Sequence, residues 1–394
     1  MKTIERTQTA AVFDAINKGM PVIQVIVGPR QTGKTTGARQ IMDLVKFPAV
    51  YASADAAIPH GPEWIETQWQ LAKFKSNGSQ PVLLVLDELQ KVRGWSEEIK
   101  RLWDARKSDI RLLLLGSSAL LLNQGVSESL AGRFFLNRFT HWSLPECREA
   151  FGWDMDQWLY FGGYPGSAVF AEDESSWKQY VTDALIETVL AKDVLQTERV
   201  MKPALLRNLF GLACTFPSQI LSYNKMLGQL ADAGNTTTLA HYLKLLDSAF
   251  LVTGLAQFSK GQIRRRASSP KLLLWNNALV NALSPKTFSD TRKNSTWWGR
   301  VVENGVGAHL LNDTCSNPAI SVTYWHKGNY EVDFVLQYGE EIVALEIKSG
   351  RPAKSVGLSL FRKAYPAART IIIGSGGIPL ELFFNSHVED LLFK

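Results

Sequence analysis

The sequence predicts an α/β protein: a parallel sheet layered between helices, then a helical stretch closing in a hairpin, then a second, smaller α/β domain. Three observations predict it. The largely β-branched run Val22 to Val27 stops at Gly28, and Gly33-Lys34-Thr35 follow after four residues. The run from Val82 to Leu86 is wholly apolar, as in a strand covered on both faces, and stops at Asp87-Glu88. Near the end, Glu331 to Leu336 and Ile342 to Lys348 are two strand-like runs joined by the turn Tyr338-Gly339-Glu340.

A chain of 394 residues has room for about two or three domains, placed here at 1–170, 171–290 and 291–394. Apolar content of 45% and charged content of 20% are those of an ordinary soluble protein. The net charge of +6 permits nucleic-acid binding without requiring it. Cys147, Cys214 and Cys315 have neither metal-type spacing nor an even framework, which suits a reducing compartment. No apolar core of a signal peptide opens the chain. The apolar stretch Leu112 to Leu122 is broken by Gly116-Ser117-Ser118 and too short for a bilayer, so a cytoplasmic, membrane-free protein is expected.

Gly28 to Thr35 satisfies G-x-x-x-x-G-K-[ST] and stands between a strand and a helix, where a phosphate-binding loop belongs. Glycines let the loop turn its N–H groups inward, and the helix adds the positive end of its dipole. Gly28, Pro29, Arg30, Gln31, Thr32, Gly33, Lys34, Thr35 and Thr36, with Asp87, are the expected ATP-Mg2+ site. In it Lys34 reaches the β- and γ-phosphates, while Thr35 and Asp87 hold the metal. Arg30 departs from the simplest form of the loop.

Around the loop, Ile4, Val12, Phe13 and Ile16 predict a short helix, Lys46 to Ser53 a strand, and Glu63 to Lys75 a helix. Asp87-Glu88 lies at the carboxyl edge of the sheet, where open α/β folds bind ligands. Glu88 there polarises the attacking water; otherwise the pair caps a helix N-terminus. A helix from Ser96 to Lys107 and a strand from Ile110 to Leu115 lead to Ser117, which either contacts the γ-phosphate or its water or caps the next helix. Arg133, before the run Phe134 to Phe139, either reaches a neighbouring subunit's γ-phosphate or forms a local salt bridge.

The middle region predicts helices at Ser176 to Lys192, Pro203 to Thr215, Tyr223 to Ala233 and Thr237 to Ala249, with N-caps at Ser222 and the Asn235-Thr236-Thr237 cluster. Strands follow at Phe250 to Ala256 and Lys271 to Trp275, enclosing Lys260, Arg264, Arg265 and Arg266. Two helices and then a hairpin is the order of a winged helix-turn-helix with a basic wing for DNA phosphates. Such shapes also serve as protein-contact modules, and a run of arginines also occurs as a solvated loop.

In the last region a helix over Val301 to Leu311 carries Glu303, and a strand follows at Ser321 to Trp325. Asp333 lies in the first hairpin strand; Glu346 and Lys348 share one face of the second. Carboxylates gathered on one face need a counter-charge. Mg2+ or Mn2+ suits such oxygen ligands, and Lys348 can orient or deprotonate a water. A helix over Ser355 to Tyr365 and a strand over Thr370 to Ile373 complete the region.

GPRQTGKTT, VLLVLDE, LLLLGSSALL, SLAGR and FGGYP, in this order, resemble the prokaryotic AAA+ ATPases that carry a DUF4143 C-terminal region. The resemblance spans nearly the whole chain. It implies a three-layer αβα P-loop domain with strand order 5-1-4-3-2, a small helical lid near Gly162-Gly163, and Arg133 as an arginine finger. The end of the chain, with Asp333, Glu346-x-Lys348 and the upstream helical Glu303, resembles the PD-(D/E)XK restriction-endonuclease-like fold, including Holliday-junction-resolvase-like members. That resemblance implies that Glu303, Asp333 and Glu346 bind metal and that Lys348 assists the nucleophile. Together they predict an ATPase that assembles into a ring and works on DNA, branched DNA included. The alternative is a nucleotide-gated switch or defence regulator whose C-terminal domain binds without cleaving.

Overall fold

The computed structural model describes residues 4–78, 80–106, 109–117, 129–195, 200–230, 234–259, 269–350 and 355–394. The chain divides into two compact units, Met1–Thr140 and His141–Lys394. Among the described residues no helix is long and apolar enough to cross a membrane.

The first unit is a parallel sheet of β1 (Ile23–Gly28), β2 (Ala49–Ser53), β3 (Val82–Asp87), β4 (Ile110–Ser117) and β5 (Phe134–Arg138). Its order is β2-β3-β4-β1-β5, which read from β5 is the expected 5-1-4-3-2. β1 and β3 are buried end to end, so neither face of these strands meets water. Val25, Val27, Leu84 and Leu86 face one core with Ile65, Trp69 and Trp103, from helices α3 (Glu63–Ser76) and α4 (Trp95–Asp104). Ile26, Leu83 and Val85 face the other with Val12, Ile16 and Ile41, from α1 (Thr7–Asn17) and α2 (Lys34–Leu44). The period-two alternation of apolar side chains thus makes three layers.

The second unit opens with α5 (Leu144–Phe151) and α6 (Met155–Phe161), each begun by a capping box, Ser143 with Glu146 and Asp154 with Gln157. Gly162 and Gly163, where the lid is expected, form a buried turn of this unit against Asn276 and Trp142. α7 (Glu174–Tyr180) continues in wider π-type turns at Val181–Ile186 and Val189–Val194, where one regular helix is expected. Then come α8 (Pro203–Thr215), β6 (Gln219–Ile220), α9 (Tyr223–Gln229), α10 (Thr236–Ser248), β7 (Val252–Leu255) and β8 (Lys271–Leu274). The three strands form an antiparallel sheet in the order β6-β8-β7. Lys260, Arg264, Arg265 and Arg266 lie outside the described residues.

After α11 (Asn277–Leu283), α12 (Phe288–Lys293) and α13 (Ser295–Thr314) come β9 (Ile320–Lys327), β10 (Tyr330–Tyr338) and β11 (Glu341–Lys348). α14 (Val356–Ala364) crosses over to β12 (Arg369–Gly374), and short helices α15 (Leu380–Phe384) and α16 (Val388–Phe393) finish the chain. The sheet order is β12-β11-β10-β9, with β11 and β12 parallel and the other pairs antiparallel. Buried amides fix α13 in place. Asn304 bonds both the N–H and the C=O of Leu274 and donates to Asn277. Asn277 in turn donates to the carbonyls of Leu159 and Val301. A buried amide is stable only with its partners present, so this network sets the register of α13, with Glu303, against β8, with Lys271.

Candidate nucleotide site and a second acidic cluster

The phosphate loop leaves β1 at Gly28, where a Cβ would lie 2.0 Å from the Phe139 carbonyl oxygen, so no larger residue fits beside β5. Gly33 enters α2 with φ of 89°, a left-handed conformation that glycine adopts without strain. Thr32 is buried and donates to the carbonyls of Pro29 at 3.0 Å and Phe139 at 3.1 Å. Arg6 backs the loop by donating to Thr32 O at 3.2 Å and Thr140 O at 3.0 Å.

Lys34 Nζ lies across the loop, donating to Gly28 O at 3.0 Å and Pro29 O at 2.6 Å. Thr35 Oγ1 donates to Asp87 Oδ2 at 2.8 Å, bringing together two of the expected metal ligands from α2 and β3. A hydroxyl and a carboxylate oxygen side by side are a hard donor pair that suits Mg2+. The chemistry of these donors therefore fits an ATP-bound Mg2+. Tyr51, at the same sheet edge on β2, donates to Asp87 Oδ2 at 2.9 Å. Burial and then the Asp87 carboxylate push the Tyr51 phenol up to about 12, so it stays a donor.

Asp87 Oδ1 accepts the N–H of Glu88, which sits at φ 55°; Gln31 in the loop is at φ 58°. Left-handed backbone at non-glycine residues costs free energy, and these two of the five described non-glycine residues with positive φ fall at the phosphate end of the sheet. The Glu88 carboxylate accepts from Gln90 Nε2 at 2.9 Å and lies 3.7 Å from Lys91 Nζ. Ser117 pairs in register with Gly28, so the backbone of β4 ends beside the loop. Its side chain, and Ser118, fall outside the description. Arg133 stands at the opposite, amino edge of the sheet, its carbonyl accepting from Ile23 N. Its guanidinium grips Asp104 through two bonds of 2.8 and 2.9 Å, the local salt bridge that was one of its two alternatives.

In the second unit Glu303 and Asp333 come together as expected. Glu331, two residues before Asp333 on β10, joins them, and one carboxylate oxygen of each lies within 4.8 Å of the others. The sequence reading missed Lys271. It is 0% exposed, and its Nζ stands 2.7 Å from Glu303 Oε1, 2.7 Å from Glu331 Oε1 and 3.7 Å from Asp333 Oδ1. Burial alone would push this ammonium down, but the charges of Glu303, Asp333 and Glu331 outweigh it and hold it well above the ordinary lysine range. Burial, partly offset by Lys271, raises the Glu303 carboxyl to about 7. Asp333 Oδ2 accepts from Ile347 N at 2.7 Å, and Glu346 pairs with Lys348 at 2.7 Å.

Lys271 thus adds an ammonium to the donor set in which Glu303 and Asp333 are expected to hold a metal. Glu346 accepts from Lys348 through Oε1, and burial together with the Asp333 carboxylate raises the Glu346 carboxyl, so Asp333, Glu346 and Lys348 stand near one another as expected. The missed residues had some signal: a charge opening the apolar strand Lys271-Leu-Leu-Leu, and Glu331 on the same strand face as Asp333.

The parallel sheet, its phosphate loop and the Thr35–Asp87 pair define an AAA-type P-loop ATPase domain. Residues 21–147 match the AAA domain family AAA_14, 152–290 a domain of unknown function, DUF8612, and 298–384 another, DUF4143. The chain therefore carries an AAA domain followed by a DUF4143 region. It is 29% identical over 353 residues to the uncharacterized proteins Mb2031c of Mycobacterium bovis and Rv2008c of Mycobacterium tuberculosis, covering 88% of this chain and 74% of each relative. Among solved structures, the Walker-type ATPase PABY2304 of Pyrococcus abyssi aligns with a TM-score of 0.46 at 15% identity, over 71% of this chain and 96% of that one.

Proposed function

We propose that the protein binds ATP-Mg2+ at the phosphate loop, hydrolyses it, and uses the cycle to control contact with DNA. The observation that carries this reading is the Thr35–Asp87 contact at 2.8 Å, beside a loop whose Lys34 rests on loop carbonyls. When bound, Mg2+ would supply positive charge that offsets the negative charge of the triphosphate. Lys34 would exchange its two carbonyl partners for phosphate oxygens, Thr35 and Asp87 would orient the metal, and Glu88 would hold the attacking water. Arg133, released from Asp104, is the group available to act across a subunit boundary in a ring.

Contact with DNA is supported by the order α8-β6-α9-α10-β7-β8 and the sheet order β6-β8-β7, the topology of a winged helix. The order α13-β9-β10-β11-α14-β12 supports a PD-(D/E)XK-like C-terminal domain. A specific observation favours the second reading, a nucleotide-gated switch that binds nucleic acid or protein without cutting: Lys271 lies inside the carboxylate cluster.

ATP turnover and cleavage of labelled linear and four-way-junction DNA would be followed together, with Mg2+ or Mn2+, for wild type, Glu88→Gln and Lys348→Ala. DNA-stimulated turnover lost in Glu88→Gln, without cutting, is the expected result. Absence of ATP turnover in wild type sinks the proposal; cutting abolished by Lys348→Ala restores the nuclease.

A further inference from the structure

The acidic cluster of the second unit resembles a metal site, yet the side chain inside it is a lysine of this chain. We propose that Lys271 is the built-in counter-cation of Glu303, Glu331 and Asp333, filling the place of a divalent ion, so that the folded chain binds neither Mg2+ nor Mn2+ there. This inference rests on the cluster's own geometry and is independent of the nucleotide site.

The position is built rather than incidental. Lys271 belongs to the central strand of its sheet, paired with Ile220 on one side and Leu255 on the other, so its Cα cannot withdraw without breaking both ladders. The side chain is 0% exposed, and its Nζ stands over the Phe334 ring, 5.1 Å from the centroid. Its ammonium also donates to the Asp333 carbonyl at 3.2 Å. A fixed amine bonded to carboxylate and carbonyl oxygens repeats what a hard cation does for the same donors.

Occupancy by both cations is excluded on two grounds. A divalent ion needs its oxygens at about 2.0–2.1 Å (Mg2+) with near-octahedral freedom around it. Here the oxygens of Glu303 and Glu331 that face the cluster stand 2.7 Å from Nζ, and an added ion would press against the like charge of a fully buried ammonium. Two of the outer oxygens are engaged as well. Glu303 Oε2 lies 3.3 Å from Arg300, and Asp333 Oδ2 holds the N–H of Ile347. Shedding Lys271 would leave a buried ammonium unpaired, which is severely unfavourable.

The test uses full-length, nucleotide-free protein carrying Thr35→Ala, so that the phosphate loop contributes no metal site, and counts bound Mn2+ by electron paramagnetic resonance, with thermal melting alongside. With Lys271 intact, no Mn2+ that depends on Asp333 is expected. Adding Lys271→Met should create one Mn2+ site per chain, at least about tenfold tighter than any background, with melting raised by Mn2+ and both effects abolished by Asp333→Asn. Should Lys271→Met fail to fold, Lys271→Met/Glu331→Gln, which removes one charge of each sign, replaces it with the same readouts. An Asp333-dependent Mn2+ site with Lys271 present overturns the proposal, as does failure of the lysine-free protein to gain one. Both results stand whether or not the chain hydrolyses ATP.

Discussion

The Thr35 hydroxyl donates to Asp87 Oδ2 over 2.8 Å, joining the start of α2 to the last residue of β3. Strand order makes this contact: β4 separates β1 from β3, and the loop after β1 reaches past β4 to the β3 edge. Thr35→Ala should keep the fold and lower ATP turnover by about tenfold to a hundredfold, the loss of a hydrogen bond to a charged group of about 1.5–3 kcal/mol. Steady-state turnover against Mg2+ concentration checks it, with Lys34→Ala as the stronger lesion.

Tyr51 shares that carboxylate oxygen. Its phenol is raised from 10.0 to about 12, by burial first and then by Asp87, so between those values the folded chain holds a proton that the unfolded chain releases. This contribution to stability is complete below pH 10 and is lost as the pH rises through about 12. A tyrosinate absorbance titration of wild type minus Tyr51→Phe should show one late-titrating phenol. The same variant should shift the Mg2+ dependence of turnover by about threefold to tenfold, through one hydrogen bond near 1 kcal/mol.

Gly28→Ala should damage the loop from its strand side. A methyl group 2.0 Å from the Phe139 carbonyl oxygen forces β1 and the end of β5 apart, and the obstacle is backbone rather than a flexible side chain. About 1–3 kcal/mol of stability should be lost, together with nucleotide affinity, as measured by thermal melting and ATP titration.

Glu303 gives a pH signature to the second unit. Its carboxyl is raised from 4.5 to about 7, mainly by burial, so the folded form keeps a proton that the unfolded chain gives up. Its share of stability is present below pH 4.5 and is lost as the pH rises through about 7. Melting temperatures from pH 5 to pH 8 should fall more steeply for wild type than for Glu303→Gln.

Arg133 and Asp104 separate a structural from a trans-acting role. Arg133→Ala should lower turnover at least tenfold if the guanidinium reaches a neighbour's phosphate, while Asp104→Ala should spare or raise it. Equal, small losses in both would reduce Arg133 to its observed salt bridge, of the kind that contributes under about 1 kcal/mol.

The phosphate loop was legible because its chemistry is contiguous: strand, glycines, Lys34 and Thr35 follow one another in the sequence. The parallel sheet was legible because buried strands such as Val82 to Leu86 have no polar face. Tyr51 was not, since only the pairing of β2 with β3 carries it to Asp87, and nothing in its own segment announces that register. Lys271 shows in the sequence only as the first residue of a strand. What sets β8 against α13 is the Asn304 and Asn277 network, a set of neutral amides whose partners lie 24 to 118 residues away. The α7 region read as one regular helix because side-chain periodicity does not distinguish a π-type turn from an α-helical one over so short a span.

Lys271 belongs by backbone to the three-stranded sheet and by charge to α13 and β10. Tugging either piece away would strand an ion in dry protein, so the two should travel as one rigid block. A hinge inside the second unit is therefore expected outside the seam that Lys271 rivets shut.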